Sequence, residues 1–294
     1  MEKEYCFVAI AGALLGTLVF GGQVLVNLGL SLYEISMFTL IFGFLLLPLI
    51  LFKKEWKFER SMVGFFLVFG FFGAITRLAQ FGAVVLGVPV AIVVLLLYTQ
   101  PLWTVIFSKL FLQESVTRHK IFAIVLVLAG VVSLLNPFSI TKVGSFFGII
   151  VALIGGLSLS GYVIYSRKSG IKKYHFITTT FGYTVFTLLF LIVSYPIMFL
   201  FTKDLSIVRV SSTLPIAIWL FLFVFSLASN LIPFSLIFRG AQKVPASSLG
   251  IILLLEPVSA SILATVFLKQ PFAFNTLFGG ALILISNYLV IHKK

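Results

Sequence analysis

Charged residues in this chain come in short clusters separated by long uncharged runs, and that spacing dictates what the chain can fold into. The 29 residues between Glu4 and Glu34 carry no charge. A helix needs about 20 apolar residues to cross a hydrocarbon core of about 30 Å. The run is too long for the apolar stretch of a signal peptide, so it reads as an uncleaved helix. Further uncharged runs cover residues 35–52, 61–76, 121–141, 143–166, 176–202, 210–238 and 271–291. Residues 61–108 contain a single charge, Arg77. As one helix they would be about 70 Å long, so the segment folds back, with Gly87-Val88-Pro89 as the natural break. Residues 244–268 read as one span interrupted by Glu256. The expected fold class is an all-α membrane protein with ten transmembrane helices.

Composition agrees. The chain is 61% hydrophobic and 10% charged, with a mean hydropathy of +1.20, against about 25% charged residues in a soluble domain. Soluble enzymes, disordered chains and nucleic-acid-binding domains are excluded on that ground. The net charge of +13 belongs instead to sidedness. With a cytoplasmic N-terminus and ten alternating spans, the cytoplasmic segments hold 16 Lys and Arg, including Lys53, Lys54, Arg167, Lys168, Lys172, Lys173, Lys293 and Lys294. The outer loops hold four: Lys142, Lys203, Arg209 and Lys269. This is the positive-inside pattern, with contacts to anionic lipid headgroups. The expected location is the plasma or inner membrane, with both termini cytoplasmic.

Cys6 is the one cysteine, which excludes an intramolecular disulfide and a cysteine zinc cluster. His119, His175 and His292 are far apart, and no phosphate-loop, dinucleotide, zinc-protease or serine-hydrolase motif occurs. No enzymatic activity, metal or cofactor is expected.

Sliding the chain by 156 residues (257 − 101) lays Val88-Pro89 on Val244-Pro245, Gln100-Pro101 on Glu256-Pro257 and Phe111-Leu112 on Phe267-Leu268. Two five-span units follow, at residues 1–138 and 139–294. Five is odd, so the second unit is expected upside down relative to the first, as in many secondary transporters. The chain resembles the drug/metabolite transporter superfamily in its ten-helix EamA-type branch. The residues that carry the resemblance run from Val88-Pro89 through Gln100-Pro101-Leu102 to Leu112-Gln113-Glu114, then from Val244-Pro245 through Leu254-Leu255-Glu256-Pro257-Val258 to Gly279-Gly280-Ala281-Leu282-Ile283. The resemblance implies a secondary carrier. Its central cavity would be lined mainly by helices one, three, four, six, eight and nine. It would move amino acids, related metabolites or drugs, more often outward than inward. Nucleotide-sugar or purine exchange and lipid flipping or scrambling are the alternatives.

Polar residues inside apolar spans mark the candidate site. Glu256 lies near the middle of its span; it reads either as a proton-coupling or cation-binding carboxylate, or as a neutral acid bonded at the repeat interface. Arg77 is always charged. It reads as a holder of a substrate carboxylate or phosphate, as a partner of Glu256, or as a side chain snorkelling outward. Gln80 shares its helix face. Gln100 is the repeat-mate of Glu256, with Tyr98 and Trp103 nearby, and Pro101 and Pro257 are candidate hinges because each leaves a carbonyl unpaired. Gln23 with Asn27, Ser158 with Tyr162, and Asn230 complete the set; interhelical hydrogen bonding is the plain alternative for each. Gly12-x-x-x-Gly16 and Gly144-x-x-x-Gly148 permit close helix packing, within a monomer or in a homodimer. The expected partners are a small-molecule substrate, membrane lipid and protons as coupling ion, with no nucleic acid.

Overall fold

The structure is a computed structural model that describes residues 3–52, 54–136, 145–211, 213–269 and 274–292. Gly144, the 138/139 unit boundary, Lys53, Lys142, Lys293 and Lys294 lie outside these residues. The described residues are helical, without strands. Nine helices among them are long and apolar enough to cross a membrane. In chain order the helices are α1 Lys3–Asn27, α2 Leu32–Leu46, α3 Arg60–Val85, α4 Val90–Leu112, α5 Arg118–Leu135, α6 Phe146–Ile171, α7 Phe176–Leu200, α8 Ile216–Gly240, α9 Ala246–Phe267 and α10 Phe274–His292.

The short helix is α2, where one full span over residues 35–52 is expected from sequence. Regular α-helix covers Leu32–Ile41; a 3-10 turn follows at Phe42–Leu46, then a second helix at Leu47–Phe52. Two causes are local. Pro48 has no N–H to continue the ladder. Gly43 sits so close to Thr184 of α7 that a Cβ would collide with it. At its start α2 is firmly capped: Ser31 and Glu34 form a capping box, and Glu34 is fully buried.

Side-chain polarity is inverted relative to a soluble protein. Large apolar residues such as Leu200, Phe146 and Ile216 are exposed, whereas Thr104, Ser160, Ser226 and Asn230 are fully buried. The outer surface is therefore matched to hydrocarbon and the interior holds the hydrogen-bonding groups.

The 156-residue register recurs in backbone geometry. Pro89 and Pro245 are the N-caps that open α4 and α9. Gln113 and Lys269 end the same two helices in the left-handed region, both at φ 54° and ψ 30°, and their N–H groups bond back to Ser108 and Ala264. A second register appears in the packing. A Cβ on Gly12 of α1 would meet the Ile252 oxygen at 2.9 Å and Leu255 at 3.3 Å; one on Gly156 of α6 would meet the Leu96 oxygen at 2.7 Å and Thr99 at 3.0 Å. Thus α1 crosses α9 as α6 crosses α4. Gly12 and Gly16 serve packing within the chain. Between α5 and α10, Gly130 and Gly279 face each other, each placed so that a Cβ would meet the other's carbonyl oxygen, at 2.7 and 2.5 Å.

One end of the molecule collects ion pairs. Lys243, between α8 and α9, holds Glu4 at 2.6 Å. Arg167, near the end of α6, donates to the carbonyls of Ala241 (2.9 Å) and Gln242 (2.6 Å) and lies 3.6 Å from Glu114. Glu114 accepts from the Ala246 and Ser247 amides at 2.8 and 3.3 Å, capping the start of α9. This is the basic end. At the opposite end Arg209 pairs with Glu34 at 3.6 Å.

Candidate substrate site

Both α4 and α9 break at mid-length. Helix Val90–Leu97 stops at Tyr98-Thr99 and restarts at Gln100; helix Ala246–Ile252 passes through a 3-10 turn at Leu253–Leu255 and restarts at Glu256. Pro101 and Pro257 stand at the first turn of each restarted helix, where a missing N–H costs nothing. The breaks bring Tyr98 and Glu256 within electrostatic reach of each other. A third irregularity lies in α8, where Leu227–Leu231 forms a π-turn. Such turns are frequent at functional sites. This one carries Asn230, fully buried, whose Oδ1 accepts from Arg77 Nη2 at 3.2 Å while its Nδ2 donates to Ser229 Oγ at 3.0 Å.

Arg77 makes no ion pair among the described residues; in particular it is not paired with Glu256. Tyr162 of α6 lies within electrostatic reach of both charges. Its hydroxyl is buried without a hydrogen-bond partner among the described residues, and its neighbour Ser166 donates to the Tyr162 carbonyl at 2.8 Å. Tyr183 of α7 packs its ring against that of Tyr162, centres 5.1 Å apart and planes tilted by 55°, and lies within electrostatic reach of Arg77. One cation, one carboxyl and an unpartnered phenol thus share the middle of the molecule. A ligand able to accept from Arg77 and Tyr162 and donate to Glu256 would satisfy all three.

None of the other sequence candidates hydrogen-bonds to Arg77, Tyr162 or Glu256 among the described residues. Gln23 donates to Asn27 at 3.0 Å, and both are exposed at the end of α1. Gln100 is buried at the α4–α6 crossing, donating to Thr104, which bonds Ser160 at 3.0 Å. Trp103 donates to Thr99 at 3.2 Å, and Ser158 to the Phe72 carbonyl at 2.9 Å. Gln80 is half-buried one turn beyond Arg77.

The model of the EamA-like transporter family matches the chain twice, over residues 2–136 and 146–292. The chain belongs to the EamA-like transporter family. It is similar to an uncharacterized transporter of Archaeoglobus fulgidus, 26% identical over 259 residues that cover 88% of this chain and 86% of the relative. An uncharacterized transporter of Clostridium kluyveri is 22% identical over 98% of this chain and 93% of its own. A crystal structure superposes with a TM-score of 0.79 over 99% of both chains; at 19% identity this speaks for the fold alone. This EamA-like transporter is a multi-pass membrane protein.

Sequence reasoning missed two members of its centre. Tyr183 is one aromatic residue in a chain with 34 phenylalanines, and nothing in residues 176–202 sets it apart. The π-turn has a fainter signal, Asn230 followed by Pro233, but a turn with one extra residue leaves no fixed periodicity to read.

Proposed function

We propose that the chain is a secondary carrier of ten crossings, built from two inverted five-helix units (1–138 and 139–294), that exports a small carboxylate-bearing metabolite, an amino acid or a related compound, by alternating access. Ten crossings count the broken α2 with its continuation to Phe52. The inverted arrangement is supported by the ion pairs of the basic end, where Glu4 at the start of α1 and Arg167 at the end of α6 gather round the same link. The end of α4 also meets the start of α9 there, where Glu114 accepts from the Ala246 and Ser247 amides, as antiparallel equivalents would. The basic end is assigned to the cytoplasm of the plasma or inner membrane, since Lys and Arg concentrate on cytoplasmic segments.

The substrate class rests on one observation: Arg77 and Glu256 occupy the centre without pairing with each other. A carboxylate on the solute would take the guanidinium fork and the Tyr162 hydroxyl. An ammonium group, or a proton, would take Glu256. Binding of solute and proton would compete at Glu256, which couples solute exit to proton entry. Pro101 and Pro257 serve as hinges, because the helices they open are already interrupted.

The test is transport of radiolabelled amino acids in proteoliposomes, as counterflow and as uptake driven by a pH gradient. Wild type is expected to show both. Glu256→Gln is expected to keep exchange and lose gradient-driven accumulation. Normal, pH-responsive accumulation by this variant would remove Glu256 from coupling. A wild-type protein that neither exchanges nor is thermally stabilised by any carboxylate-bearing solute would remove the substrate class.

A further inference from the structure

We propose that a groove between α3, α4 and α6 holds an acyl chain of an anionic phospholipid, with the lipid's phosphate at Lys168. The groove is a separate feature from the polar centre and encloses about 540 Å³, within the usual range of ligand pockets. Its rim is exposed, with Ile154 and Phe71 each at 45%, while Ser158 and Ile164 form a buried floor. It therefore opens sideways, and since α3, α4 and α6 are spanning helices, what reaches it is lipid.

Three observations favour one lipid chemistry. The lining is apolar and aromatic apart from Ser158 and the polar tips of Tyr165 and Lys168, and the Ser158 hydroxyl is already engaged by the Phe72 carbonyl at 2.9 Å. A polar metabolite finds nothing to bind along the walls; a hydrocarbon chain does. Lys168 lies at one end, its Nζ 5.0 Å from the Tyr165 ring centre and 5.5 Å from that of Phe111, with no acid in salt-bridge range among the described residues. From Ile154 to Lys168 the groove follows α6 for about 21 Å at 1.5 Å per residue, more than the roughly 15 Å of one leaflet's hydrocarbon. It thus runs from the headgroup region at the basic end toward the bilayer middle.

The asymmetry of the two halves points the same way. In the registers that relate α6 to α1 and α4 to α9, Ile164 corresponds to Phe20 and Phe111 to Phe267. Phe20 and Phe267 close on each other, ring centres 5.5 Å apart. Ile164 and Phe111 both line the groove. Lys168 corresponds to Val24. The half that carries the cation is the half that keeps the space.

The experiment compares thermal unfolding of the purified full chain in detergent with added phosphatidylglycerol, phosphatidylcholine of the same acyl chains, or glycerol phosphate. Phosphatidylglycerol is expected to stabilise wild type at a concentration about fivefold lower than phosphatidylcholine, the effect of one lysine near a headgroup, and glycerol phosphate is expected to do nothing. Lys168→Met keeps the aliphatic stem over both rings and is expected to erase the difference between the two lipids. Ile154→Trp, or the milder Ile154→Phe, is expected to weaken stabilisation by both. Lys172→Ala, an exposed cation outside the groove, is expected to behave as wild type. Equal stabilisation of wild type by both lipids overturns the proposal. So does a difference that survives Lys168→Met, one that Lys172→Ala removes as fully, or a response to glycerol phosphate equal to that of the lipid. For any variant with a lowered melting point of its own, retention of phosphatidylglycerol in native mass spectrometry separates the same outcomes.

Discussion

Arg77 keeps its charge at any working pH, and a bare charge amid hydrocarbon costs several kcal/mol. Asn230 supplies one neutral acceptor at 3.2 Å, which solvates the guanidinium without neutralising it. Asn230→Ala would leave that donor unmet, and the expected loss of stability in detergent is about 1–3 kcal/mol, read from chemical denaturation. Arg77→Lys separates charge from shape: an ammonium keeps the first and loses the planar fork. Its KM for a carboxylate-bearing substrate is expected to rise about tenfold or more, while thermal stability stays near that of wild type. A KM unchanged in counterflow would show that Arg77 does not hold the carboxylate. Outside the spans, His175 caps α7: its Nδ1 accepts from the Ile177 amide at 3.3 Å and its ring stacks on Trp56 at 5.3 Å. Burial, helped by nearby Arg239 and opposed by Glu55, holds its pKa below the ordinary 6.5. The unfolded chain therefore takes up this proton at a higher pH than the folded one. The stability the cap contributes is full above about pH 6.5 and is lost as pH falls through that value toward the lower folded one. Trp56 fluorescence is expected to report this loosening in wild type and to lose the transition in His175→Gln.

At the scale of helices, the decisive contacts are close crossings in which one partner has a broken ladder. The Leu96 and Ile252 carbonyls, just before the breaks in α4 and α9, face Gly156 and Gly12, where the absence of a side chain lets backbone meet backbone. Gly156→Leu and Gly12→Leu are expected to destabilise by about 1–3 kcal/mol each and by similar amounts, read as melting-point shifts, because the two crossings are one geometry used twice. Half of this was legible. The 156-residue register stood out because Pro89, Pro101, Pro245 and Pro257 all stand at helix starts, where proline's fixed φ suits the first turn, so the residue type itself marks the backbone. The 144-residue register (156 − 12) of α1 and α6 was invisible: Gly12 matches Gly156, but Gly16 matches Ser160, and smallness rather than identity is what the crossing requires. The site followed the same logic. Arg77, Asn230 and Glu256 announced themselves as polar groups in apolar runs. Gln100 did too, yet it is absorbed by Thr104 and Ser160 at a crossing, since a buried amide serves packing and binding with the same atoms. Whether α2 crosses alone was not legible either, because Pro48 and the Gly43–Thr184 contact act through backbone geometry that hydropathy does not record.

Across the whole molecule, the two ends differ in a way that bears on alternating access. Between the polar centre and the basic end, the rings of Phe69, Tyr162, Tyr183 and Phe238 pack with centres 4.8–6.1 Å apart. Beyond them Glu114 joins α4 to the start of α9 and, through Arg167, to α6. At the opposite end Glu34 holds a comparable set, accepting from the Ser31 and Ser211 amides at 2.7 and 2.8 Å and pairing with Arg209, but it ties α2 to the loop between α7 and α8 and does not join the broken helices α4 and α9; a cavity of about 310 Å³ opens nearby between Val26, Val84 and Asp204. The basic end is thus held together by rings and by one carboxylate with several donors. In the carrier proposed above, the return half-cycle must undo these contacts, and hydrogen bonds to a charged group are individually worth about 1.5–3 kcal/mol, enough to set which state is populated. Glu114→Ala removes every one of them. In a Cys6→Ser background with a reporter cysteine at Phe234→Cys, a buried position one turn before Phe238 whose ring packs 5.1 Å from that of Tyr183, Glu114→Ala is expected to speed labelling by a membrane-impermeant maleimide from the basic side about tenfold, as a shift of about 1.4 kcal/mol in the opening equilibrium requires. Glu114→Gln, which keeps an acceptor for the two amides and loses the charge, is expected to fall between. Glu34→Ala is expected to leave basic-side labelling unchanged, because its partners lie at the other end. Equal labelling rates in Glu114→Ala and wild type would mean that the carboxylate is a helix cap and nothing more, and that the aromatic rings alone keep this side shut.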